Sequence, residues 1–119
     1  MSEKNPWPTE IRLRRDRRAL TVTFDDRVSH ELPAEMLRVL SPSAEVQGHS
    51  PEQRQTVPGK RDISIAAVDP VGNYAVRLTF SDGHNTGLFS WTYLRRLGDE
   101  RDALWSAYLA ELKAKGLSR

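Results

Sequence analysis

The stretch from Tyr74 to Leu97, YAVRLTFSDGHNTGLFSWTYLRRL, limits the possible folds more than any other part of the chain. Tyr74, Val76, Leu78 and Phe80 alternate with Ala75, Arg77 and Thr79, the period-two pattern of a strand with one buried face. Asp82-Gly83 follows, and glycine accepts the positive φ that tight hairpin turns need. The return strand passes through Leu88 and Phe89 and ends at Ser90. Ser90 is placed to cap a helix that starts at Trp91 and carries Leu94 and Leu97. His84 stands just past the turn and is the one titratable ring of the hairpin. Strand, turn, strand and helix in that order point to a mixed α and β class.

The rest of the chain extends this pattern. Residues 1–8 are polar and proline-containing and read as a flexible tail, with Trp7 suited to dock on the body. Glu10 to Arg15 alternates Ile11 and Leu13 with arginines and reads as a strand. Asp16-Arg17-Arg18 makes a turn, and Leu20, Val22 and Phe24 form the apolar face of the returning strand. After a turn at Asp25-Asp26, Val28, His30 and Leu32 make a third strand. Pro33 suits the first position of a helix that buries Met36, Leu37 and Leu40 and ends before Pro42. Gln47 to Arg61 has no periodicity and reads as a long loop. Ile63 to Val68 is a β-branched strand, and residues 69–73 form a turn into the hairpin. Gly98 breaks the chain, and Asp99 caps a last helix to about Lys115. That helix carries Leu104, Trp105, Tyr108, Leu109 and Leu112 on one face, with a Glu111–Lys115 pair at i, i+4. The expected fold is α+β: an antiparallel sheet of about six strands, two short helices and a C-terminal amphipathic helix. The expected organisation is one domain over 9–98, with residues 99–119 packing on it.

Composition narrows the chemistry. The chain has 119 residues, enough for one modest core, and 29% of them are charged. Its formal net charge is +2 and its pI is near 9.2, weak grounds for an anionic partner. It has no cysteine, which excludes disulfides, thiol nucleophiles and thiolate metal ligation within the chain. No apolar run approaches the roughly 20 residues of a membrane span. The N-terminus lacks the apolar core of a signal peptide, so a cytoplasmic setting is expected.

Four clusters invite functional readings. His84, with His49 and Asp82, contains the residue types that hold zinc or iron, but the spacing fits no strong metal motif. Ser41 and Ser43 lie near histidines in sequence, yet no G-x-S-x-G elbow surrounds them, and a helix-ending turn explains their hydroxyls. Arg12, Arg14, Arg15, Arg17 and Arg18 offer a possible anion site. Strand alternation puts Arg12 and Arg14 on an outer face, where charge guards an edge strand, and no nucleic-acid-binding signature accompanies them. Gly59-Lys60 lacks both the first glycine and the hydroxyl residue of a phosphate loop.

Several segments together resemble one family. They are Pro8-Thr9-Glu10-Ile11, Leu32 to Arg38, Ser41 to Val46 with Gly48-His49, Gly59-Lys60-Arg61, Val71 to Ala75, and Phe80 to Gly87 through Trp91 and Leu94. Residues 8–98 resemble the DUF971 family, similar to the N-terminal domain of gamma-butyrobetaine hydroxylase. In the hydroxylases that domain precedes a separate oxygenase domain, helps form the dimer, and holds a structural zinc through three cysteines and one histidine. Carried over, those ligands fall on Ser41, Ser43, Val46 and His84. The resemblance therefore implies a degenerate zinc site, with no metal or other cofactor expected. Hydrogen bonds among Ser41, Ser43 and His84 are expected to replace the metal cross-link. Similar domains also occur fused to iron–sulfur ATPases. The implied function is a non-enzymatic interaction or adaptor module whose partner is another protein or a second copy. Nucleic acid and membrane are not expected partners.

Overall fold

The structure, a computed structural model, describes residues 7–48 and 54–119. Among the described residues, three strands and two helices are followed by three more strands and two more helices. Strands β1 (Pro8–Leu13), β2 (Ala19–Phe24) and β3 (Ser29–Pro33) form one antiparallel sheet in the order β1-β2-β3. Strands β4 (Ile65–Val71), β5 (Ala75–Phe80) and β6 (Leu88–Ser90) form a second, in the order β4-β5-β6. The expected class and strand number hold, but the strands divide into two three-stranded sheets. On one side the sheets are joined at Arg17. This residue takes a positive φ of 62°, accepts the Ile65 amide at 2.7 Å, and donates from its guanidinium to the Ala66 carbonyl at 2.9 Å.

The period-two pattern places the core. In β2, Leu20, Val22 and Phe24 point inward and are buried. They meet Leu78 and Phe80 of β5 and Phe89 of β6 in one apolar cluster. Burial of each such side chain contributes about 1.5–3 kcal/mol. Helix α1 (Ala34–Val39) adds Met36 and Leu37 to this core, and α3 (Trp91–Asp99) adds Leu94 and Leu97. Helix α3 begins where expected: the Ser90 hydroxyl accepts the Tyr93 amide at 3.2 Å.

Several expectations are corrected. Strand β4 starts at Ile65 and runs to Val71, through the residues expected to turn. Pro70 is tolerated because β4 pairs only with β5, so its missing N–H lies in an edge strand. The turn is instead Gly72-Asn73-Tyr74, and Tyr74 is exposed rather than part of the buried face. Pro33 closes β3 and is the N-cap of α1 rather than its first residue, so the helix starts one residue later than expected. A further short helix, α2 (Ala44–Gln47), follows α1, while residues 54–61 contain no strand or helix.

Gly98 does not break the chain. It lies inside α3, where a Cβ would come within 2.1 Å of the His30 ring. Bare backbone there lets α3 lie against β3. Asp99 does not cap α4 (Arg101–Ala114), whose N-cap is Glu100. The Asp99 carboxylate is already engaged by His30 at 2.9 Å and by Arg95 at 2.9 Å.

On α4, Tyr108 and Leu112 are buried, Leu104 and Trp105 are half-buried, and Leu109 is exposed. The core-facing stripe is therefore narrower than expected. Glu111 and Lys115 do not pair with each other. Glu111 is bonded by Arg54 and Thr56, and Lys115 donates to Thr56. Tyr108 donates its hydroxyl to the Val57 carbonyl, and burial pushes its pKa up to about 12. Arg119 lies 5.3 Å over the Trp105 ring and donates to both oxygens of the buried Glu35 carboxylate, at 3.0 and 2.7 Å. Among the described residues, no helix is long and apolar enough to cross a membrane.

Candidate functional site

Leu40 is the C-cap of helix α1, and the next residue, Ser41, is completely buried. Across from it the chain turns after β5. Gly83 takes a φ of 89°, its amide donates to the Phe80 carbonyl at 2.8 Å, and the Phe80 amide donates to the His84 carbonyl at 3.0 Å. This turn is tight, but β5 and β6 are not in ladder register until Arg77 faces Leu88. The intervening residues form an open loop rather than a two-residue hairpin, and this frees His84 to point at α1. Its Nε2 lies 2.9 Å from the Ser41 hydroxyl. That hydroxyl also accepts the Ser43 amide at 3.3 Å.

The contact is tightly enclosed. Gly87 passes directly over it, and a Cβ there would lie 2.3 Å from Ser41 Oγ. Gln47 of α2 donates to the Ser41 carbonyl at 2.9 Å. Tyr93 of α3 donates to the Leu40 carbonyl at 2.5 Å. Val46 is buried beside the serines. The Ser43 hydroxyl is buried with no hydrogen-bond partner, and so is Nη1 of Arg38.

Charges surround the turn. Asp82 accepts from Lys60 at 2.6 Å, from Arg38 at 2.8 Å and from the His84 amide at 3.1 Å. Burial pushes the Asp82 carboxyl up, but these bonds outweigh it and hold it well below the usual carboxylate range. Burial, and then the nearby Arg38 charge, lower the His84 pKa, with Glu45 opposing.

Ser41, Ser43, Val46 and His84 converge, although only Ser41 touches the His84 ring. Asp82 braces the backbone of His84 and turns its carboxylate to Lys60 and Arg38. His49 lies outside the described residues. Ser41 and Ser43 hydroxyls, a valine and one engaged imidazole do not make a zinc ligand set. Among the described residues, no group of three or more His, Cys, Asp or Glu is placed to hold a metal ion. Ser41, His84 and Glu45, with His84 Nδ1 3.8 Å from the carboxylate, have the order of a nucleophile relay. Ser41 is fully buried, however, so a substrate has no approach to the hydroxyl.

The arginine cluster is mostly occupied. Arg12 pairs with Glu10, Arg14 with Asp16 and Glu31, and Arg18 with Asp62. Arg17 spans the sheets, and Arg15 is exposed. Sequence reasoning missed Gly87, and it missed Arg38 and Lys60 as partners of Asp82. Arg38 lies 44 residues from Asp82, and no local periodicity connects them.

Fold and site together define a small α+β domain of two antiparallel sheets, fastened by a buried serine–histidine contact. The family model described as gamma-butyrobetaine hydroxylase-like, N-terminal, matches residues 11–95, and the chain belongs to that family. A crystal structure of a DUF971 protein of unknown function from Acidithiobacillus ferrooxidans is 44% identical with a TM-score of 0.67, covering 82% of this chain and 98% of that one. An NMR solution structure is 45% identical with a TM-score of 0.83, covering 98% of this chain and 91% of that one. Another, also 45% identical with a TM-score of 0.83, covers 100% of this chain and 90% of its own. No curated protein matches the chain.

Proposed function

We propose that this chain is a non-enzymatic, cytoplasmic interaction or adaptor module, and that its zinc site is degenerate. The observation that carries the reading is the closed contact between Ser41 and His84. It lies where the family resemblance puts metal ligands, and it cross-links α1 to the turn after β5 by hydrogen bonding. Such a bond is worth about 1 kcal/mol, against roughly 10 or more for a structural zinc. The packing of α4 supplies further stability. With the site sealed, the surfaces left for work are strand edges and exposed aromatic residues. The family relation directs the search for a protein partner toward oxygenase and iron–sulfur systems.

Self-pairing of Arg12, Arg14 and Arg18 weighs against an anion or nucleic-acid reading. The engagement of Asp82 and His84 weighs against a metal-binding reading through His49, His84 and Asp82. Untagged chain should contain well under one equivalent of zinc or iron, whereas Ser41→Cys/Ser43→Cys/Val46→Cys should gain one zinc through the new thiolates and His84. Stoichiometric metal in the unaltered chain would overturn the degenerate-site reading. Affinity capture from native lysate should recover a stoichiometric protein partner. A chain that is recovered alone, and is monomeric at every concentration, would overturn the module reading.

A further inference from the structure

We propose that the groove between β1 and β4 receives an extended, acidic segment of a partner protein, which pairs with the open strand edges. This rests on the interaction-module reading and names the surface that does the work. The two strands each pair on one side only, β1 with β2 and β4 with β5. Between them lies an open, largely apolar groove of about 500 Å³. Ile11 and Leu13 line it from β1, Val68 and Pro70 from β4, and Leu20 and Val76 lie beneath.

Unpaired strand edges call for backbone N–H and C=O groups, and an extended peptide supplies them while its alternate side chains fill the apolar floor. Arg17 lies at the groove and bridges the sheets through Ala66. Trp91 also lines the groove, and Trp7 meets it edge-on with ring centroids 6.4 Å apart. Trp7 is exposed and Trp91 half-buried, and tryptophans at the margin of an apolar groove are residues that anchor interfaces.

Charge selects the occupant. Arg17 lines the groove, and its guanidinium is bonded to a carbonyl rather than to a carboxylate, so its charge is left for an acidic partner. A second copy offering its own β1 would bring a strand whose two charges, Glu10 and Arg12, already pair with each other, and so supplies no free carboxylate for Arg17.

The test selects a phage-displayed library of random dodecapeptides on the untagged full chain. Enriched peptides are then measured by fluorescence anisotropy against the chain, Val68→Lys and Arg17→Gly. Val68→Lys puts an ammonium group into the groove. Arg17→Gly removes the cation at a φ of 62°, which glycine accepts. Enriched peptides should alternate apolar residues with Asp or Glu. Val68→Lys should weaken them about tenfold, and Arg17→Gly about threefold, with the larger effect on the apolar side as at other buried interface centres. Methylating alternate peptide amides should abolish binding. Binding that tolerates either that methylation or both variants would overturn the groove assignment. So would a dimer of the chain that Val68→Lys dissolves. If the groove test fails while lysate capture still yields a stoichiometric partner, the groove is wrong and the module reading stands.

Discussion

Gly87→Ala tests the clamp most directly. An alanine Cβ would lie 2.3 Å from Ser41 Oγ, 3.2 Å from Pro42 Cδ and 3.5 Å from Phe89 Cε1. The Pro42 separation needs a small adjustment and the Phe89 one is ordinary contact, but the first is far inside contact. Ser41 is completely buried, so its hydroxyl has no free space to rotate into. The substitution must push Ser41 from His84 or displace the loop. Overpacking of this kind costs about 1–3 kcal/mol, and loss of the Ser41–His84 bond adds about 1. A total near 3 kcal/mol lowers the melting temperature by roughly 12 °C at about 4 °C per kcal/mol. Ser41→Ala alone should cost about 1–2 kcal/mol by stranding the His84 nitrogen and the Ser43 amide. The informative measurement is the double variant, because Ser41→Ala removes the atom with which the new methyl collides. Gly87→Ala should then cost at least about 1 kcal/mol less than it does beside Ser41, as expected for residues in contact. Thermal melts of the four proteins give the cycle. Simple additivity, or a Gly87→Ala melt within about 2 °C of the unaltered chain, would show that the clamp is not the tight junction described here.

Four other outcomes follow from the same structure. Ser43→Ala removes a buried hydroxyl that has no partner, so urea denaturation should show a gain of up to about 1 kcal/mol, and a clear loss would contradict its orphan status. His84 has a folded pKa below its unfolded value, so its contribution is complete above about pH 6.5 and falls as pH drops toward the folded value; Asp82, also lowered, adds a second loss below about pH 4. Denaturation midpoints should therefore decline as pH falls below about 6.5 in the unaltered chain, and His84→Gln should remove that first decline but not the second. Gly98→Ala gains about 1 kcal/mol of helix propensity, yet its Cβ meets His30 down to the Cβ at 2.8 Å, so calorimetry should show a net loss; a net gain would mean that β3 and α3 are not in close contact there. Deleting residues 99–119 exposes the core around buried Tyr108 and Leu112 and should lower the melting temperature by more than about 10 °C, and an unchanged value would show that α4 adds nothing.

Local patterns were readable wherever a buried face repeats at the period of its element. Leu20, Val22 and Phe24 alternate in β2, and Ser90 announces α3, because each signal lies within a few residues. Pro70 misled the reading of β4, since a proline is a turn signal in the centre of a sheet but harmless on an edge, and edge position is a property of the whole sheet. Gly98 misled it for the same kind of reason: as a lone glycine it resembles a helix stop, and only the His30 ring beside it reveals packing. The division into two sheets depends on Arg17 meeting Ile65 and Ala66, a contact between distant segments that no window of sequence contains. At the site, the family resemblance brought Ser41, Ser43, Val46 and His84 together. The bracing of Asp82 by Arg38 and Lys60 and the passage of Gly87 over Ser41 were visible only in three dimensions.

The pairing of Glu35 with Arg119 has a consequence for the order in which this chain is made. Glu35 leaves the ribosome early, within α1, and its carboxylate is buried in the finished domain. The guanidinium that satisfies it arrives 84 residues later. Until then the nascent chain must either leave α1 undocked or bury an acid without its counterion, and burial of an unpaired charge is strongly unfavourable. Docking of the first helix therefore depends on a residue 84 positions downstream, and α1 settles with its acid satisfied only when Arg119 has closed over Trp105.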